Sequence, residues 1–241
     1  QTGKTTLLRR LSESGRVYVS LDDLRLRALA QEDPELFLQR FAGPLLIDEV
    51  QYAPGILSAI KQRVDADRQP GAFWLTGSQP FHLMRGVSES LAGRIATAQL
   101  LGFTAREEDE RNPALPPFRP DPAVLTERAA TGVSLTLQAV FERIWRGALP
   151  ALATGELPDR DLVLAGYVET YLERDVRELV NVGSLLQFDR FLRAAAARTA
   201  QLLNIADLAR DVGVSPTTAR TWMSVLEASG VVLLVPPFST N

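Results

Sequence analysis

The sequence predicts an α/β fold: a mostly parallel sheet with flanking helices, followed by a helical region and a winged-helix domain. Short apolar runs alternate with helical stretches in the N-terminal part, a pattern typical of parallel strands joined by crossover helices. Residues 137–203 are rich in Ala, Leu and Arg with helical periodicity. Residues 204–238 predict two helices around a turn and then a strand, which is the outline of a winged helix.

Four apolar runs predict the strands of the sheet, and their nearly continuous hydrophobicity is typical of buried parallel strands. The runs cover residues 16–21, 44–50, 72–76 and 95–103. A charged, Pro-rich stretch then predicts a linker. We therefore expect four segments, namely an α/β core at 1–104, the linker at 105–136, a helical region at 137–187 and the winged-helix domain at 188–241.

The composition limits the chemistry that is open to the chain. Its 241 residues include no cysteine and a single histidine, His82, so disulfides are excluded and a zinc site finds few ligands. We expect His82 to be a surface or packing residue, because no carboxylate or serine partner is placed beside it. Without a bilayer-spanning apolar run or a leader, the sequence predicts a cytoplasmic protein with no membrane partner. The net charge of −3 gives no general support to nucleic-acid binding.

The first motif lies at the start of the chain. Gly3, Lys4 and Thr5 match the last three residues of the phosphate-loop pattern G-x-x-x-x-G-K-[ST]. Gly3 would let the backbone approach the phosphates, Lys4 would neutralise the β and γ charge, and Thr5 would bind magnesium. Lys4 is informative because all but one of the other basic residues are arginine. We expect Thr2 and Thr6 to belong to the same nucleotide-binding segment.

The second motif is LLIDE, an apolar run that ends in Asp48 and Glu49. At the carboxyl end of a parallel strand, both side chains would face the crevice in which ligands bind. Asp48 would hold magnesium through water, and Glu49 would polarise the water that attacks the γ-phosphate. Alternatively, the two acids only cap the following helix. If the lysine turn and the acid pair converge on one crevice, the motifs predict an ATPase with ATP and Mg²⁺ as its ligands.

Three further residues are candidates for the same reaction. Thr76 and Ser78 follow the third predicted strand and would hold the attacking water or sense the γ-phosphate, unless they form an ordinary turn. Arg94 would reach a phosphate of its own or of a neighbouring subunit, unless it is a solvated arginine. One strand and helix separate the two motifs, an order typical of ATPases with an extra strand between the lysine strand and the acid strand.

These motifs resemble those of bacterial and archaeal AAA-type P-loop ATPases that carry a C-terminal domain of unknown function. The similar segments include QTGKTTLL, LLIDEVQYAP, FWLTGSQPFHLM, SLAGRI, YLERDVREL and LLNIADLARDVGVSPTTARTWMSVLEASGVVLLVPPF. The resemblance implies a P-loop NTPase sheet, ATP binding, slow hydrolysis, a winged helix and truncation at both ends, with a nuclease-like domain missing. By position it assigns the phosphate loop to residues 3–6, the acid pair to Asp48 and Glu49, and the sensor strand to residues 76–78.

The helix-turn-helix pattern raises the question of DNA binding. Its second helix would turn Thr217, Thr218 and Arg220 towards the major groove, whereas Ala219 and Met223 would pack inward. However, residues 204–238 contain two arginines and three acidic residues, whereas duplex binding usually needs several cations. A winged helix that packs on the ATPase core or on a partner is the alternative.

Three hypotheses follow. The first is a magnesium-dependent ATPase whose hydrolysis switches the arrangement of the domains. The second is a DNA-binding regulator that uses ATP as a ligand with negligible turnover. The third is a degenerate, purely structural P-loop scaffold. The expected partners are ATP and a protein partner or a second copy of the chain, with DNA only weakly supported.

Overall fold

The structure is a computed structural model, in which the described residues are 2–77, 91–109, 119, 121–130, 132, 134–157, 159–171 and 185–237. The chain forms two compact units. The smaller unit comprises Gln1–Leu7 and Thr97–Leu164, and the larger unit comprises Leu8–Ala96 and Ala165–Asn241. The four segments expected from the sequence divide the chain differently and stay a prediction. Among the helices in the described ranges, none has the length and apolar character that crossing a membrane requires.

The larger unit contains a parallel sheet of three strands in the order β1-β2-β3. The strands are β1 at Val17–Ser20, β2 at Leu45–Asp48 and β3 at Phe73–Leu75. The first three predicted strands and their parallel pairing are therefore confirmed, with shorter bounds. All four residues of β2 are buried, because it pairs with a strand on each side and is covered by the surrounding helices.

The fourth predicted strand is wrong, because residues 95–103 form no strand in the structure. Ile95 packs against the core of the larger unit, but most side chains of this run are exposed. Leu101, for example, is 64% exposed. Phe103 donates its backbone N–H to the carbonyl of Ala148 rather than to a strand. An apolar run becomes a strand only where a neighbouring backbone satisfies its polar groups.

Helices flank the sheet and begin at residues that suit helix starts. They are α1 at Lys4–Leu11, α2 at Leu24–Glu32, α3 at Pro34–Arg40 and α4 at Ile56–Ala66. The Asp23 carboxylate accepts from the first free amides of α2, and Asp33 does the same for α3. Phe37 and Leu38 of α3 and Ile56, Leu57 and Ile60 of α4 join the buried core of the sheet.

The smaller unit contains short helices, including two within the segment expected as a linker. Its helices are α5 at Ala105–Glu108, α6 at Pro122–Ala130, α7 at Leu137–Arg146, α8 at Pro150–Ala153 and the first part of α9 at Arg160–Tyr171. A capping box between Thr104 and Glu107 starts α5. The Thr104 N–H bond also holds the pKa of Glu107 below its usual value.

Helix α7 turns charged residues towards α5 and leaves apolar residues exposed. Arg143 forms an ion pair with Asp109, and Arg146 forms one with Glu108 at 2.5 Å. Phe141 is 60% exposed on the same helix. The helical periodicity predicted for this region is therefore confirmed, although ion pairs rather than an apolar core join α7 to α5.

Three helices of the larger unit form a second core. They are α10 at Leu185–Ala196, α11 at Ile205–Val212 and α12 at Pro216–Ala228. The Trp222 ring meets Phe188 and Phe191 edge-on, with centroids 5.3 and 5.4 Å away. Ala219 and Met223 are buried, as predicted. Helices α11 and α12 and the turn between them confirm the predicted helix-turn-helix pattern.

The strand predicted after α12 is wrong, because residues 231–237 form no strand. The side chains nevertheless alternate: Val232 and Leu234 pack on the second core, whereas Leu233 is 85% and Val235 is 81% exposed. No partner strand pairs with this run in the part of the chain that the structure describes. The winged helix is therefore not confirmed.

Replacing Trp222 by alanine should lower the free energy of unfolding by about 3 to 5 kcal/mol, because a buried ring is lost and a cavity remains. Chemical denaturation followed by circular dichroism measures this loss. Trp145 of α7 is a matched control, since it is 66% exposed. Its replacement by alanine should cost about 1 kcal/mol at most. Equal losses in the two variants would contradict the second core described here.

Candidate functional site

The ends of the three strands bring polar residues to one edge of the sheet. The parallel register pairs Ser20, the last residue of β1, with Asp48, the last residue of β2. Thr76 follows β3, and its backbone N–H donates to Ile47 at 3.0 Å while its carbonyl accepts from Val50 at 3.0 Å. Asp48, Glu49 and Thr76 therefore lie together at the carboxyl edge, where open α/β sheets bind ligands.

Asp48 is a buried carboxylate that is 6% exposed. Its Oδ2 accepts from the phenol of Tyr18 at 2.9 Å, and its Oδ1 accepts from the backbone N–H of Glu49 at 3.1 Å. The Asp48 carbonyl also accepts from Leu21 at 3.0 Å. A buried charge requires such hydrogen bonds, since the loss of hydration otherwise opposes folding.

Glu49 directs the chain away from the sheet. Its φ of 57° and ψ of 42° place it in the left-handed region, and a 3-10 turn at Val50–Tyr52 follows. The Glu49 side chain caps no amide of this turn, so the capping alternative finds no support there. Instead, the amide of Gln51 donates to the Glu49 carboxylate. A side chain at Gly77 would overlap the Gln51 amide oxygen, so the glycine leaves room for this contact.

Thr76 contributes a buried hydroxyl to the same edge. The residue is 5% exposed, and its Oγ1 has no hydrogen-bond partner among the described residues. A buried hydroxyl in this condition is unusual in a folded protein and marks a place where a ligand or water would be bound. The other two candidates from this part of the sequence, Ser78 and His82, lie outside the described residues.

The structure does not bring Arg94 to the acid pair of its own chain. Its guanidinium forms a two-point ion pair with Asp65, at 2.5 and 3.0 Å, which lowers the pKa of that carboxyl. Asp65 lies in the last turn of α4, which returns from the carboxyl end of β2 to the start of β3. Arg94 is therefore at the opposite edge of the sheet from Asp48. Its expected contact with a neighbouring subunit's phosphate stays a prediction.

Two segments of the chain are similar to known protein families. Residues 1–108 match the family model of an AAA domain. This part of the chain is therefore similar to AAA domains. Residues 137–241 match the model of a domain of unknown function, DUF8612.

The chain is also similar to full-length proteins whose function is unknown. Uncharacterized proteins of Mycobacterium tuberculosis and Mycobacterium bovis are each 30% identical to it over 243 residues. The match covers 100% of this chain and 49% of each relative, so the chain spans about half of their length. No solved structure matches the chain.

The residues that the sequence predicts for the phosphate loop lie at the start of α1. Gly3 has a φ of 81°, which glycine adopts readily, and the helix begins at Lys4. The side chains of Lys4 and Thr5 are half-buried, whereas Thr6 is exposed. The hydroxyl of Thr2 is buried and has no hydrogen-bond partner among the described residues. Free amides at a helix start are suited to anions.

The two motifs belong to different units of the structure. Lys4 and Thr5 lie in the smaller unit, and Asp48 and Glu49 lie in the larger unit. The first motif lies at the start of a helix and the second at the end of a strand. Their convergence on one crevice stays a prediction.

The predicted DNA-facing residues lie on the surface of α12. Thr217 and Arg220 are exposed, and Thr218 is half-buried beside the hydroxyl of Ser215, at 2.8 Å. On α11, Arg210 pairs with Asp207 at 2.6 Å, which reduces its charge towards a phosphate. The geometry permits groove binding, but the charge does not favour it. DNA binding stays a prediction.

Sequence reasoning missed Tyr18 and Gln51, whose side chains donate hydrogen bonds to the carboxylates of Asp48 and Glu49. Tyr18 lies in an apolar run that predicts a strand, and this pattern assigns no role to its phenol. The alternation of a strand puts Tyr18 and Ser20 on one face, so a predicted pairing of Ser20 with Asp48 would have placed the phenol nearby. Gln51 stands two residues after Glu49 and carried no comparable signal.

The phenol of Tyr18 should ionise at a higher pH than free tyrosine, whose pKa is about 10. Partial burial raises its pKa, and the hydrogen bond that the phenol donates to the Asp48 carboxylate raises it further. The pKa of Tyr18 is higher in the folded than in the unfolded chain. The protonated phenol and its hydrogen bond to Asp48 therefore contribute fully to stability below the unfolded pKa, and this contribution is lost as pH rises through the folded pKa.

Ultraviolet absorbance of tyrosinate, taken as the difference between the natural chain and Tyr18→Phe, measures this titration. In Asp48→Asn the midpoint should move back towards that of free tyrosine. A midpoint that Asp48→Asn leaves unchanged would contradict the hydrogen bond.

Proposed function

We propose that the protein binds ATP and hydrolyses it with magnesium, and that hydrolysis switches the arrangement of its domains. The observation that supports this function best is the carboxyl edge of the sheet, where buried Asp48 and half-buried Glu49 lie beside Thr76, whose buried hydroxyl has no hydrogen-bond partner among the described residues. The match of residues 1–108 to an AAA domain supports the nucleotide as the ligand. The parallel sheet is evidence for the fold only. The two carboxylates at its ligand-binding edge are evidence for the chemistry, because they suit the hydrolysis of a phosphoanhydride.

The residues at this edge fit a magnesium ion. Asp48, the predicted metal ligand at this edge, offers a buried carboxylate. Magnesium prefers such hard oxygen ligands, and in nucleotide sites it takes one or two of them from the protein and the rest from phosphates and water. The described residues contain no cluster of three or more His, Cys, Asp and Glu side chains that would hold a metal alone, which agrees with this mode. When bound, the ion supplies charge neutralisation at the β- and γ-phosphates.

Each residue has a role that follows from its chemistry. Lys4 carries the positive charge that attracts the phosphates, and the amides at the start of α1 add to this attraction. The Glu49 carboxylate, oriented by the Gln51 amide, positions the attacking water and accepts its proton. The Thr76 hydroxyl bonds to the same water or to the γ-phosphate. Asp48 carries the negative charge that holds the magnesium of MgATP.

Lys4→Ala should weaken ATP binding by about ten-fold or more, because a charge-assisted contact to phosphate is lost. Binding of a fluorescent ATP analogue measures this change. Lys61→Ala is the matched control, since Lys61 is the only other lysine of the chain and lies on α4. It should bind like the natural protein. Equal affinity in the Lys4 and Lys61 variants would remove Lys4 from the site.

Glu49→Gln should retain ATP binding but lower the rate of phosphate release by about 10² to 10⁴-fold, because the amide cannot accept the proton of the water. Single-turnover phosphate release with magnesium measures the rate. Hydrolysis that is absent in the natural protein, or that is unchanged by both Lys4→Ala and Glu49→Gln, would overturn the ATPase function.

A further inference from the structure

The register of the sheet places Tyr18 next to the acid pair. Tyr18 stands opposite Leu46, and Ser20 stands opposite Asp48. Because residues two apart on a strand share a face, Tyr18 and Ser20 project to the same side of β1. The phenol reaches diagonally across to β2 and donates its O–H to Asp48 Oδ2 at 2.9 Å. Tyr18 is thus the side chain of β1 that bonds to the predicted magnesium-binding carboxylate.

The Asp48 carboxylate is held at both of its oxygens. Tyr18 holds Oδ2, and the backbone N–H of Glu49 holds Oδ1. The second contact is local and follows from the turn after β2. The first joins the carboxylate to a residue of β1, and so it restricts the rotation of the carboxylate about its own side-chain bonds. A carboxylate bonded at both oxygens has one orientation towards a ligand.

The position of the Tyr18 ring does not come from burial in the core. Tyr18 is 38% exposed, whereas Val19, the next residue, is 3% exposed. The guanidinium of Arg9, on α1, lies over the ring at 4.8 Å from its centroid. A cation over an aromatic face is attracted by the ring's electrons. The ring is therefore held from above by Arg9 and at its hydroxyl by Asp48, and it has little part in stabilising the core.

We propose, on the basis of the ATPase function proposed above, that Tyr18 is a positioning residue that orients Asp48 towards the magnesium of MgATP. Partners that hydrogen-bond to a metal-binding carboxylate determine its direction, and their loss typically weakens metal affinity or activity about 10 to 100-fold. A partly exposed tyrosine that bonds to a 6%-exposed carboxylate at the ligand-binding edge fits this role. A tyrosine kept for packing would be buried.

Tyr18→Phe tests this role because it removes the hydroxyl and keeps the ring. Binding of a fluorescent ATP analogue is measured on the whole chain, first in EDTA and then against increasing magnesium chloride. The magnesium concentration for half-maximal effect should rise about ten-fold, whereas binding in EDTA should stay unchanged. Tyr167→Phe on α9 is the matched control and should leave both measurements unchanged.

Asp48→Asn distinguishes a failure of the positioning role of Tyr18 from a failure of the proposed ATPase function. It should raise the magnesium requirement by itself, and adding Tyr18→Phe to it should have no further effect, because the hydroxyl acts through Asp48. A shift in Asp48→Asn without one in Tyr18→Phe overturns the role of Tyr18 and leaves the proposed function standing. Nucleotide binding that ignores magnesium in the natural protein overturns both.

The thermal unfolding midpoint of Tyr18→Phe shows whether that variant folds. If it does not fold, Arg9→Gln is the second variant. It keeps the phenol and removes the cation above the ring. The magnesium requirement should rise in the same direction but by less than in Tyr18→Phe. If Tyr18→Phe is unfolded and Arg9→Gln leaves the magnesium requirement unchanged, the positioning role is overturned.

Discussion

The pairing of β2 with a parallel strand on each side holds the candidate site together. Leu45, Leu46 and Ile47 are fully buried, and burial of each such side chain contributes about 1.5 to 3 kcal/mol relative to exposure. This apolar stretch offsets the cost of ending the strand with a buried carboxylate. Because all three strands are parallel, the end of β2 shares an edge with the ends of its neighbours. The position of Asp48, Glu49 and Thr76 is thus a consequence of strand pairing.

The strands that could be predicted are those whose apolar residues are buried by neighbouring strands and helices. The runs that became β1 to β3 lie between helices that cover them, and so their apolar residues are buried. Residues 95–103 and 231–237 have similar composition but no partner strand in the described chain. Strand formation depends on a neighbouring backbone, which one segment of sequence does not contain. The helices of the Pro-rich segment were missed because caps and ion pairs, rather than apolar periodicity, stabilise α5.

The candidate site also contains some residues that the sequence predicts and others that it does not. Asp48, Glu49 and Thr76 could be grouped from the sequence because each comes at the end of a predicted strand. Tyr18 could not, since its contact with Asp48 needs the register between two strands. The sequence predicts that Arg94 contacts a phosphate. Its ion pair with Asp65 depends on the direction of α4, which the sequence does not give. Motifs therefore predict the candidate residues of the site, whereas the contacts of those residues with Tyr18 and Asp65 depend on the fold.

The left-handed backbone of Glu49 has a consequence for the balance between stability and function. A residue with a side chain is disfavoured in this conformation, typically by about 1 to 3 kcal/mol, and glycine adopts it without this penalty. Glycine at position 49 would relax the chain and remove the carboxylate at the same time. A glutamate in this strained conformation is the pattern expected where function opposes stability. Stabilised variants of this protein are best sought away from this turn.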